Sequence, residues 1–337
     1  MKLKLLIFLM AFLPLGCFGA GRDALRFGKD GKFKIVQFTD IHYQPGNPAS
    51  EEAITCMRAV LDAERPDLVI YTGDLAYGAP GREAVLKAVE PAVERGLPFA
   101  VTWGNHDDEF GDSREGLFSV VAGLPGNLTD TVSGLTGVTN FILPVLASGN
   151  DRTAAVLYVI DSNSYSRIPA AKGYAGIQPD QVKWYSDNSR RFTAYNGGVP
   201  LPAMAFFHVP FNEVNTAASD ESAILVGTRR ERACSGSLNS GMFAEMIRCG
   251  DVMASFFGHD HINDYAVAYK GMLLAYGRYS GAKTVYCDIP GGNGARVIEM
   301  KEGERDFDSW IRMHDGSVIN KINFPHDFTR WKASPNE

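Results

Sequence analysis

Cysteine is scarce in this 337-residue chain: five residues, one of them within the first twenty, and no C-x-x-C pair anywhere. That removes zinc-ribbon and thioredoxin-type readings. For Cys56, Cys234, Cys249 and Cys287 the default expectation is buried free thiols; Cys234 and Cys249 could pair, but spacing alone does not fix connectivity. A basic block is also missing, and the formal net charge is -6. Both argue against nucleic acid or an anionic membrane surface as a partner. No internal repeat or low-complexity tract stands out. Long apolar runs are absent after the first, which covers residues 5–15 behind Lys2 and Lys4. That run is too short for a comfortable membrane span and has the layout of a secretory signal over residues 1–20. The expectation is an exported protein, periplasmic, extracellular or held at the outer surface.

The string "LPLGC" resembles a loose lipoprotein box, in which Cys17 would be the lipid-modified mature N-terminus and the sole membrane anchor. Pro14 and Leu15 suit that box poorly. The chain as a whole is 45% hydrophobic and 21% charged, an ordinary globular balance. "FKIVQFTD" (33–40), "DLVIYTGD" (67–74) and "PFAVTWGNHD" (98–107) are short apolar, β-prone runs. Between the first two, Ser50 offers a helix N-cap, with Glu51 and Glu52 in the first turn and Ile54, Met57 and Leu61 at helical spacing up to Pro66. Residues 82–96 read as a second helix, broken at Pro91 and closed by Gly96. Strand–helix–strand–helix–strand predicts parallel βαβ units in a sheet covered on both faces. Further on, strands are expected over 153–162, 201–210 and 251–261, and helices over 178–195 and 240–250, with a long polar loop over 211–236. From residue 264 short runs alternate with glycine turns, which predicts antiparallel sheet. The boundaries are one main domain over 33–300 and a C-terminal extension over 301–337, with an edge strand at 308–316 and a loose tail from 325.

Five runs end in chemically charged clusters: Asp40-Ile41-His42, Gly73-Asp74, Gly104-Asn105-His106-Asp107, His208, and Gly258-His259-Asp260-His261. Five of the seven histidines sit there, where open α/β sheets build their sites. Asp, Asn and His without cysteine form an oxygen–nitrogen donor set suited to Mn, Fe or Zn and too rich in nitrogen for a calcium cage. There are too many donors for one catalytic ion that keeps an open position, and enough for two ions sharing a carboxylate. Two divalent ions, two aspartates and one bridging hydroxide leave about +1 to face a phosphate dianion. The chemistry favoured is phosphate-ester hydrolysis.

In order and type these blocks resemble the calcineurin-like metallophosphoesterase superfamily, and "FKIVQFTDIHY", "GHDHINDY" and "LNSGMF" are most similar to its purple-acid-phosphatase-like branch. The resemblance covers roughly residues 33–290. It implies an α/β fold, a four-layer α/β/β/α sandwich with mixed sheets. It implies one metal on Asp40, His42 and His261, another on Asn105, His208 and His259, and Asp74 as bridge. His106 would protonate the leaving oxygen or bind phosphate, with Asp107 orienting it. Purple acid phosphatases proper have glycine where His42 stands and a tyrosine on iron in a "GDxxY" block. Here "GDLAY" supplies Tyr77 beside His42, so His42 is expected as ligand and Tyr77 as packing or a wall of the site. The expected activity is phosphomonoester hydrolysis of a small substrate by a metal-bridging hydroxide. A phosphodiesterase or nucleotide hydrolase on the same core is the alternative, and a catalytically dead phosphate-binding module the alternative from another class.

Weaker signals have blander readings. Arg229, Arg230 and Arg232 suggest a solvated charge run, "GGNG" (291–294) a hairpin turn, His314 and His326 surface positions, Trp103 a core residue, and Tyr43 and Asp108 neighbours of the ligands.

Overall fold

The computed structural model describes residues 24–329. The expected export signal over 1–20, Cys17 included, and the tail from 330 lie outside the described residues. Among the described residues no helix is long and apolar enough to cross a membrane.

Two mixed sheets stack face to face. The first runs β13-β12-β11-β1-β2-β3, from β1 (Lys32–Phe38), β2 (Leu68–Thr72), β3 (Phe99–Thr102), β11 (Gly294–Lys301), β12 (Phe307–Met313) and β13 (Val318–Phe324). The second runs β4-β5-β6-β8-β10-β9-β7, from β4 (Phe141–Leu146), β5 (Thr153–Val159), β6 (Ala203–Phe206), β7 (Leu225–Val226), β8 (Val252–Phe257), β9 (Ala266–Tyr269) and β10 (Met272–Tyr276). β1, β2 and β3 are parallel, as the alternation of strands and helices requires.

Period-two alternation divides the side chains into layers. Phe33 and Ile35 of β1, with Leu68 and Ile70 of β2, point into the seam between the sheets, where they meet Leu157, Met204, Phe206 and Phe256. Truncating a seam residue such as Phe206 to alanine would cost about 3–5 kcal/mol. Val36, Phe38, Val69 and Tyr71 point the other way, onto the helices α1 (Glu51–Glu64), α2 (Gly81–Val93) and α3 (Arg114–Ala122). The outer face of the second sheet is covered by α4 (Pro179–Tyr195), α5 (Glu213–Ala218) and α6 (Met242–Cys249). Three apolar clusters between four layers make the expected α/β/β/α sandwich.

Several details differ from the sequence reading. From residue 264 the pairing is antiparallel, β9 with β10, β11 with β1 and β12, and β12 with β13, except that β10 also runs parallel to β8. The strand expected at the edge is β12, and it is covered by β13, whose polar sequence "VINKINF" hides its strand character. Pro91 does not break α2: its missing N–H removes one bond, to the carbonyl four residues back, and the helix runs on to Val93. Ser50 does not cap α1; its hydroxyl binds the Gln44 backbone, while Asn47 caps the short 3₁₀ turn before it. The loop over 211–236 holds α5 and the two-residue β7. "GGNG" is a turn leading into β11, but no strand precedes it. Among the described residues the four cysteines are free, and only Cys56 of them is buried.

Candidate metal centre

The carboxyl ends of β1, β2 and β3 face those of β6 and β8, so both sheets contribute to one site. The chain turns sharply as each strand ends. Asp40 (φ 55°), His42 (φ 48°), Asp74 (φ 53°) and His259 (φ 81°) all adopt the left-handed conformation, uncommon for residues other than glycine. Backbone bonds hold the turns: Asp40 N–H donates to Gly73 O (3.1 Å) and His42 N–H to Asp74 O (2.9 Å). The turns after β2 and β3 press on each other at two glycines. A Cβ on Gly104 would overlap the Asp74 carboxylate, and one on Gly73 would sit 2.5 Å from Gly104 N.

The buried side chains fall into two groups. Asp40, His42, Asp74 and His261 bring one donor atom each within 4.8 Å of one another, and Asp74, His208 and His259 do the same. Asp74 is common to both; its Oδ2 lies 3.4 Å from His42 Nε2 and 3.1 Å from His208 Nε2. Tautomers follow from the outer partners. His208 Nδ1–H donates to Thr72 O (2.7 Å) and His261 Nδ1–H to Tyr286 O (2.8 Å), which leaves the Nε2 lone pairs facing inward.

Whether these residues suit metal ions is tested by their unmet bonding. Eleven buried side-chain polar atoms among the described residues lack a hydrogen-bond partner, and five of them belong to the cluster: His42 Nδ1 and Nε2, Asp74 Oδ2, Asn105 Oδ1 and His259 Nε2. Each orphan costs roughly 1–3 kcal/mol if nothing satisfies it. Asn105 is turned by its amide nitrogen, which bonds Tyr165 Oη (3.4 Å), so its oxygen is the atom left over. A convergence of imidazole nitrogens with carboxylate and amide oxygens suits cations.

The electrostatics agree. Burial opposes ionisation of Asp74, yet the neighbouring His208 and His42 imidazoles hold its carboxyl well below the usual range. Burial, then His42, drives His261 down to about 3, and burial with His208 lowers His259, so both rings keep their lone pairs. Burial disfavours the charged form of His208, but Asp74 outweighs it and raises that ring to about 9. An ion binding there would displace a proton.

His106 stands apart. Its side chain is 26% exposed, whereas the other four histidines of the cluster are buried. The structure corrects the role expected of Asp107. Its buried carboxylate does not reach His106; it accepts four backbone N–H bonds, from Leu75 (2.8 Å) and Ala76 (3.0 Å) on Oδ1 and from Asp74 (3.0 Å) and Gly104 (2.7 Å) on Oδ2. Asp107 is therefore a clamp between the turns after β2 and β3. The partner of His106 Nδ1 is Glu109 Oε2 at 2.7 Å. Glu109 in turn accepts from Tyr165 Oη (3.1 Å) on Oε1.

Glu109, Tyr165 and Arg114 escaped the sequence reading. The spacing His106-x-x-Glu109 matches a helical turn and was a readable signal; Tyr165 and Arg114 gave none. Arg114 is buried and bonds Asp161 (2.7 Å) and the Gly104 carbonyl, so it braces the glycine turn from behind. Tyr77 packs edge-on against His42 (5.2 Å) and His106 (5.1 Å), a wall of the site. Trp103 is in the core. Tyr43 bonds Glu51 (2.6 Å), and Asp108 lies 3.5 Å from Arg114. Arg229 binds the Ala218 carbonyl and Arg230 the Asp288 carbonyl. His314 and His326 are exposed.

Comparison with known proteins gives a matching picture. The family model described as calcineurin-like phosphoesterase matches residues 33–263. The chain is 30% identical to "Probable inactive purple acid phosphatase 29" of Arabidopsis thaliana, over 94% of this chain and 90% of that one. It is 31% identical to "Phosphatase DCR2" of Saccharomyces cerevisiae, over 87% of this chain and 56% of the yeast protein. Among solved structures, a dimetal phosphatase from Danio rerio superposes with a TM-score of 0.58 at 12% identity, covering 86% of this chain and 98% of the other. GAP50, described as the anchor in the inner membrane complex of Plasmodium, gives 0.56 at 13% identity, covering 89% and 90%. At such identities the superpositions speak for the fold alone.

Proposed function

The chain belongs to the calcineurin-like phosphoesterase family, and from that premise we propose that it is an active dimetal phosphomonoesterase. The observation that carries this reading is the complete donor set around Asp74, with orphaned nitrogen and oxygen atoms converging from both sheets. Asp40, His42 and His261 would hold one ion and Asn105, His208 and His259 the other, with Asp74 common to both groups. Manganese, iron or zinc suits such donors. When bound, the ions polarise the ester oxygens and make water nucleophilic at neutral pH.

The chain's own residues do the rest. The left-handed turns aim Asp40, His42, Asp74 and His259 inward, and Asp107 keeps the Asp74 and Gly104 turns in register. Tyr165 fixes the Asn105 amide so that oxygen, not nitrogen, faces the centre. Glu109 binds Nδ1 of His106, which leaves the other ring nitrogen for the substrate side. His106 then gives its proton to the departing alcohol oxygen. Buried imidazoles and the Tyr77 ring limit water access from the protein side.

The word "inactive" in the Arabidopsis protein's name is said of that protein; here none of the seven ligand positions is lost. The test is hydrolysis of p-nitrophenyl phosphate against bis-p-nitrophenyl phosphate after loading with Mn, Fe or Zn. The monoester should be cleaved at least about tenfold faster. Faster cleavage of the diester would replace this reading with a phosphodiesterase, and no cleavage under any loading would favour a binding module.

A further inference from the structure

Three of the large apolar or aromatic side chains that stay exposed, Tyr165 (47%), Ile168 (47%) and Leu238 (53%), line one groove of about 510 Å³. Left bare, such side chains keep contiguous apolar surface in water. The groove is joined to the metal centre by a short path. The Tyr165 hydroxyl donates to Glu109, and Glu109 holds His106, the proposed proton donor to the leaving oxygen. Tyr165 thus stands on the side of the centre where the alcohol of the substrate leaves. Its ring is stacked on Tyr174 (5.6 Å, 25°), which itself abuts His259 (4.2 Å). The stack fixes the ring's orientation.

Charge narrows what the groove takes. Arg114 in its wall is consumed by Asp161, Asp108 and the Gly104 carbonyl. The groove's lining carries two arginines, Arg114 and Arg167, and two acids, Asp108 and Glu115, which sum to zero. No surplus of positive charge is left for a second phosphate.

We propose that this groove is the leaving-group subsite and that it selects monoesters whose alcohol carries an aromatic ring, over monoesters of small aliphatic alcohols. The inference rests on the phosphomonoesterase reading. Ring stacking on Tyr165 and burial against Ile168 and Leu238 supply the discrimination, on the order of tenfold for one phenyl group.

The test uses the full metal-loaded protein and two matched pairs of probes. Benzyl phosphate and ethyl phosphate have leaving alcohols of similar basicity, so their kcat/KM ratio reports recognition and not intrinsic reactivity. Benzylphosphonate and ethylphosphonate, which cannot be hydrolysed, give the same comparison as a ratio of Kd values. The benzyl member should win about tenfold in both. Ile168→Ser and Leu238→Ser, both at exposed positions that tolerate a polar residue, should bring the ratios toward one. Tyr165→Phe, which keeps the ring, should preserve the Kd ratio, and Tyr165→Ala should abolish it. Equal ratios in the wild type, or a preference untouched by Ile168→Ser, Leu238→Ser and Tyr165→Ala, would overturn the subsite. If neither phosphate is hydrolysed but benzylphosphonate still binds about tenfold tighter, the catalytic reading falls while the groove's selectivity stands.

Discussion

Asp107→Asn separates two roles for one carboxylate. As a clamp, Asp107 accepts four backbone N–H bonds, two on each oxygen. Asparagine keeps one carbonyl oxygen and therefore two of those bonds. Its amide NH₂ faces the other pair donor to donor. Bonds to a charged acceptor contribute roughly 1.5–3 kcal/mol each, so two lost bonds cost about 3–6 kcal/mol. One effect offsets this. Burial and the nearby Asp74 charge already push the Asp107 carboxyl above its usual range, so neutralising it relieves part of that strain. A net loss of about 2–4 kcal/mol should lower Tm by roughly 3–6 °C in a domain of this size. Metal content should fall with it, because the turns that carry Asp74 and Asn105 are the ones the clamp joins. The assay is a thermal melt of the purified variant together with metal analysis. A variant with wild-type Tm and full metal content but a large loss of rate would refute the clamp and restore Asp107 as the residue that orients His106.

Other substitutions divide the site by role. Glu109→Gln removes the charge behind His106 but keeps an acceptor; since Glu109 is 35% exposed and partly screened, a loss of about 5–20-fold in kcat is expected on alkyl phosphates and less on p-nitrophenyl phosphate, and a uniform loss on both would refute its positioning role. Asp74→Asn should abolish turnover and lower metal content, because two cations would lose their shared negative charge; two full sites by metal analysis would contradict the bridging role. His42→Ala should weaken one site while Tyr77→Phe leaves metal content nearly intact, and iron-loaded protein should lack a tyrosinate charge-transfer band; a visible band lost in Tyr77→Phe would reverse that assignment. The export signal expected over residues 1–20 predicts that the intact mass of the protein expressed in an exporting host shows loss of the first 16–20 residues; a mature chain that retains Met1 would refute it.

What the sequence made legible was mostly what depends on local pattern. β1, β2 and β3 are apolar runs that end in Asp or in the Gly-Asn-His-Asp block, so both the strands and the donors at their ends could be read directly. β4 could not, because Pro144 interrupts its apolar run; the strand tolerates it by lying at a sheet edge. β13 alternates weakly and is defined by pairing with β12, a tertiary fact. At the site, residue types indicated the donors, but adjacency misled at Asp107. Its neighbour in sequence is His106, yet a strand-end turn sends consecutive side chains to different partners, one to the substrate side and one back into the turn. Tyr165 lies 60 positions from Asn105 and meets it only because the two sheets close over one another.

The account stands or falls on two ions per chain acting together. Metal-free protein titrated with Mn, Fe or Zn, with p-nitrophenyl phosphate hydrolysis as readout, measures this directly. Activity should stay low through the first equivalent, rise with the second and saturate at two per chain. Full activity at one equivalent, or two ions bound with no hydrolysis, would contradict it.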